Sequence, residues 1–176
     1  MTEQTTEQTT EQRAEREQAR SGVVVGYDGS PESMEAVVLA LREAEQRGTE
    51  LHVVTVYVSD WVPGDSETPQ WEERLREHTE ALQNEAVAEA ARGRSPSVPV
   101  RRTALHGNPG ELLVEQSSDA ELLVIGNRGR SALASALLGR VSSYCLHHAG
   151  CPVLVVRLHA GHPRSHLPSA DLAGQV

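Results

Sequence analysis

Three glycines in the second half of the chain, Gly126, Gly129 and Gly139, stand in the segment GNRGRSALASALLGRVS with the spacing G-x2-G-x9-G. Glycine leaves no Cβ between a backbone amide and an approaching anion, and it adopts the positive φ that turns amides inward. Gly139 comes just before a predicted helix. The first N–H groups of that helix lack partners, and its dipole is positive at that end. Arg128 and Arg130 could add charge-assisted bonds to a phosphate. The chemistry so outlined is the holding of a phosphate. Glycines also end strands and helices, so spacing alone leaves a purely structural role open. Asp28, in GYDGSPES, reads by itself as a turn former ahead of a helix.

Other constellations are weaker. His147 and His148 lie near Cys145 and Cys151, a set that suggests a metal. Consecutive side chains on a helix diverge by about 100°, however, so the two imidazoles do not easily share one ion. His159, His162 and His166 fall in a Gly/Pro/Ser-rich stretch with no periodic hydrophobics, so no metal site is assigned there either. The two cysteines, one on a predicted helix and one at the start of a strand, are expected to be unpaired thiols. No nucleophile–base arrangement can be read from the chain, so no catalytic residue is named and an enzyme is not expected.

The elements that must position these residues alternate. Val23–Tyr27 is a short apolar run, as a strand buried on both faces requires. Ser30 is a good N-cap, with Pro31 at the first helical position and Glu32 complementing the dipole. The helix that follows puts Met34, Val37, Val38 and Leu41 on one stripe and stops near Gly48. A second strand spans Leu51–Val58, and a loop through Trp61 and Pro63 leads to a long polar helix over Pro69–Arg92. Its mixed charges read as a solvated face. Val98–Ala104 is the third strand, Asn108-Pro109 starts a short helix, Leu122–Ile125 is the fourth strand and Pro152–Val156 the fifth. Five strands joined by helical crossovers make an α/β fold, a doubly wound, Rossmann-like parallel sheet with helices on both faces. Ligands of such sheets sit beyond the strands' carboxyl ends, where strand order reverses.

The 176 residues suit one domain over 21–158. The TEQT repeat makes 1–20 a disordered polar tail, and 159–176 reads as a second, flexible one. The formal net charge of −9 argues against nucleic acid as a partner. All 16 cations are Arg, so P-loop and Schiff-base lysine chemistry is excluded. The chain has no apolar run long enough to span a membrane and no signal-like start, so a cytoplasmic protein is expected.

Five segments together resemble the universal stress protein family: VVVGYDGSPES, ELHVVTVYV, HGNPGELL, the glycine segment, and GRVSSYCLHHAGCPVLVVR. They cover about residues 21–157 in the family's order. The resemblance implies sheet order 3-2-1-4-5 and binding of an adenine nucleotide, ATP with or without Mg2+, by a non-catalytic stress-response regulator. Slow hydrolysis of the bound ATP is not thereby excluded. It further implies that Asp28 contacts base and ribose. Gly26, Val53 and Ile125 would line the adenine side. Gly126, Arg128, Gly129, Arg130, Gly139, Arg140, Val141 and Ser142 would surround the phosphates. The family places Ser or Thr directly after the third glycine, where this chain has Arg140; its guanidinium could supply a positive fork to the phosphate or fill the pocket and exclude a triphosphate. The alternative is a nucleotide-independent dimeric interaction module of the same fold. In either case a homodimer through the fifth strand is expected, with a protein partner the residues do not name.

Overall fold

Val23, Val24 and Val25 are all wholly buried, and β1 (Val23–Gly26) is the middle strand of a five-stranded sheet. It pairs in parallel with β2 (Leu51–Tyr57) on one side and β4 (Leu122–Gly126) on the other. Outside these, β3 (Val100–His106) pairs with β2 and β5 (Val153–Val156) with β4, both again parallel. The order is therefore 3-2-1-4-5, as expected. This computed structural model describes residues 22–57, 68–127 and 138–158, without the side chains of 68–72. The two tails, the loop through Trp61 and Pro63, and Arg128, Gly129 and Arg130 lie outside the described residues.

Side chains of a strand alternate between faces, so each strand feeds two apolar layers. Val23, Val25, Val53 and Val124 pack with Met34, Val37 and Leu41 of α1 (Pro31–Arg47) and Ala86 and Val87 of α2 (Thr68–Ala90). Val24, Val54, Leu123 and Ile125 pack with Leu113 of α3 (Pro109–Gln116) and Cys145 of α4 (Arg140–His148). Burying a side chain of this size is worth about 1.5–3 kcal/mol. Two such layers against one sheet leave β1 no solvent on either face.

Helix ends follow the capping residues. Ser30 Oγ accepts the Ser33 N–H at 3.2 Å, and Asn108 Oδ1 accepts the Gly110 N–H at 3.1 Å. At the far end of α1, Gly48 takes φ 67°, which lets the Thr49 N–H reach the Ala44 carbonyl at 3.0 Å. β3 starts and ends two residues later than expected. Pro99 has no N–H for the ladder; its carbonyl takes the Leu51 N–H, and regular pairing begins at Val100. The long helix ends at Ala90 rather than Arg92, because Arg92 and Gly93 both turn left-handed, at φ 52° and 74°.

Two of the buried polar side chains, Gln83 and His52, tie neighbouring elements together. Gln83 of α2 points its Nε2 at the carbonyls of Val53 (3.3 Å) and Thr103 (3.0 Å), stitching the helix to β2 and β3. His52, wholly buried, is flanked by Thr103 Oγ1 at 2.8 Å and Arg101 Nη2 at 3.0 Å. A guanidinium can only donate, so His52 Nδ1 must accept, and its proton sits on Nε2, donated to Thr103. Burial, helped by the Arg101 charge, lowers the pKa of this imidazole from 6.5 to about 4.

Candidate functional site

Chain order reverses at β1. α1 carries the chain from β1 to β2 on one side, and later α3 carries it from β3 across to β4 on the other. The carboxyl ends of β1 and β4 therefore diverge into a crevice, bordered by the loop after β1 and by the two described ends of the segment that joins β4 to α4.

The first loop follows β1. Asp28 is half-buried, and its Oδ1 accepts the Ser30 N–H at 3.0 Å, an Asx turn that feeds α1. The Asp28 N–H in turn donates to Ser33 Oγ at 3.3 Å. The second loop follows β4. A Cβ at Gly126 would stand 3.0 Å from the Ser33 nitrogen and 3.1 Å from the Glu32 carbonyl carbon. Gly126 is thus where β4 lies against the first turn of α1, and this close packing favours glycine whatever the ligand. A Cβ at Gly26 would press on Leu113 at 3.1 Å and Ile125 at 3.3 Å, softer neighbours that are side chains.

The far end of that same segment leads into α4. The Asn127 carbonyl accepts the Gly139 N–H at 2.8 Å and stands 2.9 Å from the Ser142 hydroxyl. These contacts bring the two ends of the glycine segment together and set the start of α4 beside the end of β4. The Asn127 N–H donates to the Val156 carbonyl of β5 at 2.6 Å, which anchors the junction in the sheet. Among α1, α3 and α4, only α4 lacks a side-chain cap: Gly139 is its N-cap and offers none. The N–H groups of Arg140, Val141 and Ser142 precede the first intrahelical bond, Ser143 N–H to the Gly139 carbonyl. Three donors at the positive end of a helix can hold an anion.

The other expected residues fall in different places. Ile125 is buried just below Gly126, and Val141 packs half-buried into the α3–α4 layer. Val53 sits deep in β2, paired with Val25, with its carbonyl taken by Gln83. Because Gly26 pairs with Val54, the half-buried Val56 lies two residues beyond that last pair, nearer the carboxyl end of β2 than Val53. Counting residues between motifs misses this; the parallel register supplies it. The Ser142 hydroxyl is turned inward, to the Asn127 and Gly139 carbonyls, at 2.9 and 3.0 Å. It has one proton, so in this arrangement only its backbone N–H faces outward chemistry. Arg140 is exposed and borders an open surface cleft of about 490 Å³ with Leu138, Ser143, Tyr144, His147 and His148.

Burial raises the Cys145 thiol to about 11, which keeps it protonated and un-nucleophilic, and both cysteines are free thiols. His147 and His148 line the same cleft, but each places Nδ1 near the carbonyl four residues back, at 2.7 and 2.9 Å. Among the described residues, no three His, Cys, Asp or Glu side chains are placed to hold a metal ion.

The family model of the universal stress protein family matches residues 4–157. The chain belongs to that family. A universal stress protein of Mycobacterium tuberculosis is 39% identical over 142 residues, which cover 77% of this chain and 45% of that protein. One from Mycolicibacterium smegmatis is 38% identical over 141 residues, 79% of this chain and 46% of the relative. The chain thus spans about half the length of the curated relatives it matches. Among solved structures, the universal stress protein UspA from Lactobacillus plantarum superposes with TM-score 0.65 at 21% identity, covering 79% of this chain and 99% of its own. A universal stress protein in complex with cAMP superposes with TM-score 0.57 at 29% identity, covering 80% and 99%. No helix among the described residues is long and apolar enough to cross a membrane.

Proposed function

We propose that this universal stress protein binds an adenine nucleotide, ATP foremost, in the crevice between the ends of β1 and β4, and acts as a regulator without catalysing a reaction. The observation that carries this reading is the uncapped start of α4, tied by the Gly139 N–H to the Asn127 carbonyl at the strand-order reversal. The relative solved with cAMP supports an adenine nucleotide as the class of ligand. In this reading Asp28, Gly26 and Val56 take the base and ribose. The amides of Arg140, Val141 and Ser142 take the phosphate, with Gly126 closing the junction beneath them. Val53 contributes through the sheet. Arg128, Gly129 and Arg130 complete the loop in the sequence. Mg2+, where bound, would neutralise phosphate charge; the protein's share is to orient the nucleotide.

The Ser142 hydroxyl, committed inward, and Arg140 in place of a hydroxyl residue favour a second reading, in which the fold serves as an interaction module without nucleotide. Thermal denaturation with millimolar MgATP, against equal GTP, separates the two. A ligand bound only to the native state raises stability by mass action. An upward shift with adenine nucleotides supports the first reading; no shift with any of them supports the second.

A further inference from the structure

β3 is one edge of the sheet, and its backbone groups alternate in direction along the strand. The Pro99 carbonyl takes the Leu51 N–H at 2.9 Å, and the Gly107 N–H reaches the Tyr57 carbonyl at 3.1 Å. Between those two bonds, Arg101, Thr103 and Leu105 turn their backbone groups toward β2. Val100, Arg102, Ala104 and His106 therefore direct theirs to the open side, where the described residues supply no further strand. Such a row of unpaired N–H and C=O groups is a template for another strand. The opposite edge, β5, is four residues long and wholly apolar, whereas β3 is seven residues long and carries two adjacent arginines.

The two arginines are used differently. Arg101 is exposed, and its guanidinium lies 3.5 Å from the Glu50 carboxylate and 3.0 Å from His52 Nδ1. Arg102 is half-buried on the same sheet face as Val100, which packs against the α1–α2 layer. Its side chain bends back along the strand, and Nη1 donates to the Val100 carbonyl at 3.3 Å. That carbonyl is one of the outward groups, so the guanidinium occupies part of the template and sets a positive charge across the edge. The arrangement is poor for stability. Arg102 Nε is buried without a hydrogen-bond partner, and Arg102 has no carboxylate partner among the described residues. A buried donor left unpaired is destabilising, and an apolar β-branched side chain would bring none to this position. Folding stability therefore does not account for Arg102, whereas protection of the edge does.

We propose that Arg102 is an autoinhibitory contact, which closes the β3 edge against strand addition by a second copy of this chain. It depends neither on the nucleotide reading nor on pairing at β5. Sedimentation velocity and thermal denaturation of the full chain test it. Arg102→Val should keep the wild-type melting temperature or raise it. It should also form particles at least about twice the wild-type mass at the same micromolar concentration, since edge-to-edge pairing joins two or more of them. Adding Ala104→Pro removes an outward N–H that β2 does not use, and should return the wild-type mass. Arg102→Lys keeps a charged donor at the edge and should stay at wild-type mass, so the result does not hang on how the proline variant folds. Arg101→Val removes the same charge from the neighbouring, inward-bonded position and should leave the mass unchanged. A lowered melting temperature or wild-type mass in Arg102→Val would overturn the proposal. So would association that survives Ala104→Pro, or that appears equally in Arg102→Lys or Arg101→Val.

Discussion

Arg140 and Ser142 stand two residues apart on α4, yet one faces solvent and the other is sealed against Asn127. Ser142→Ala should cost about 1 kcal/mol of stability by removing the hydroxyl that bonds the Asn127 or Gly139 carbonyl, and denaturant unfolding reads that directly. Arg140→Ser tests the departure from the family's hydroxyl. If the guanidinium crowds a terminal phosphate, ATP affinity rises and ADP affinity stays level; if it holds that phosphate, ATP alone weakens. Calorimetric titration of both nucleotides distinguishes the cases. His52 sets a pH dependence. Its folded pKa of about 4 lies below the ordinary 6.5, so between those values the unfolded chain takes up a proton the folded chain refuses. The stability this supplies is complete above pH 6.5 and is lost as pH falls toward 4, about 2 kcal/mol of it by pH 5. Melting temperatures from pH 7 to 5 should fall, and His52→Gln should flatten that slope; equal slopes would contradict it. The departure at Arg140 was legible in the sequence; the surroundings of Ser142 and His52 were not. A histidine in an apolar strand reads as core, and only the register reveals Thr103 and Arg101 beside it.

At the level of elements, the strands and helices were legible because period and punctuation agree. Val23–Val25 is a continuous apolar run, Ser30-Pro31 and Asn108-Pro109 are helix starts, and Gly48 is a left-handed stop. Boundaries failed where backbone chemistry outweighed side-chain pattern, at Pro99 and at Arg92-Gly93. The glycine segment drew attention as an anion cradle, but Gly126 has a role that spacing could not show: it lets β4 lie against α1. Gly126→Ala should therefore destabilise the fold by about 1–3 kcal/mol, since the added methyl meets backbone atoms that cannot rotate away. Gly26→Ala meets only side chains and should cost less. Chemical denaturation of both variants checks the ranking, and the reverse order would place the tight junction at β1 instead.

For the whole molecule, β5 is the edge next to β4. The Pro152 and Val156 carbonyls accept bonds from β4, so the alternate residues Val153 and Val155 direct their backbone groups to the open side. Leu154 and Leu158 are exposed beside them. Such an edge needs a cover, and a second copy paired about a two-fold axis supplies one. Sedimentation should show a homodimer with or without nucleotide, and Val155→Pro, which removes an outward donor, should shift it to monomer. A wild-type monomer at micromolar concentration would contradict this. The central claim concerns the crevice at the carboxyl ends of β1 and β4. Amide NMR titration with ATP tests it most directly. The account predicts saturable perturbations gathered at Gly26, Asp28, Val56, Gly126 and the Gly139–Ser142 turn. A spectrum unchanged at millimolar ATP, or perturbations gathered away from the β1–β4 crevice, would contradict it.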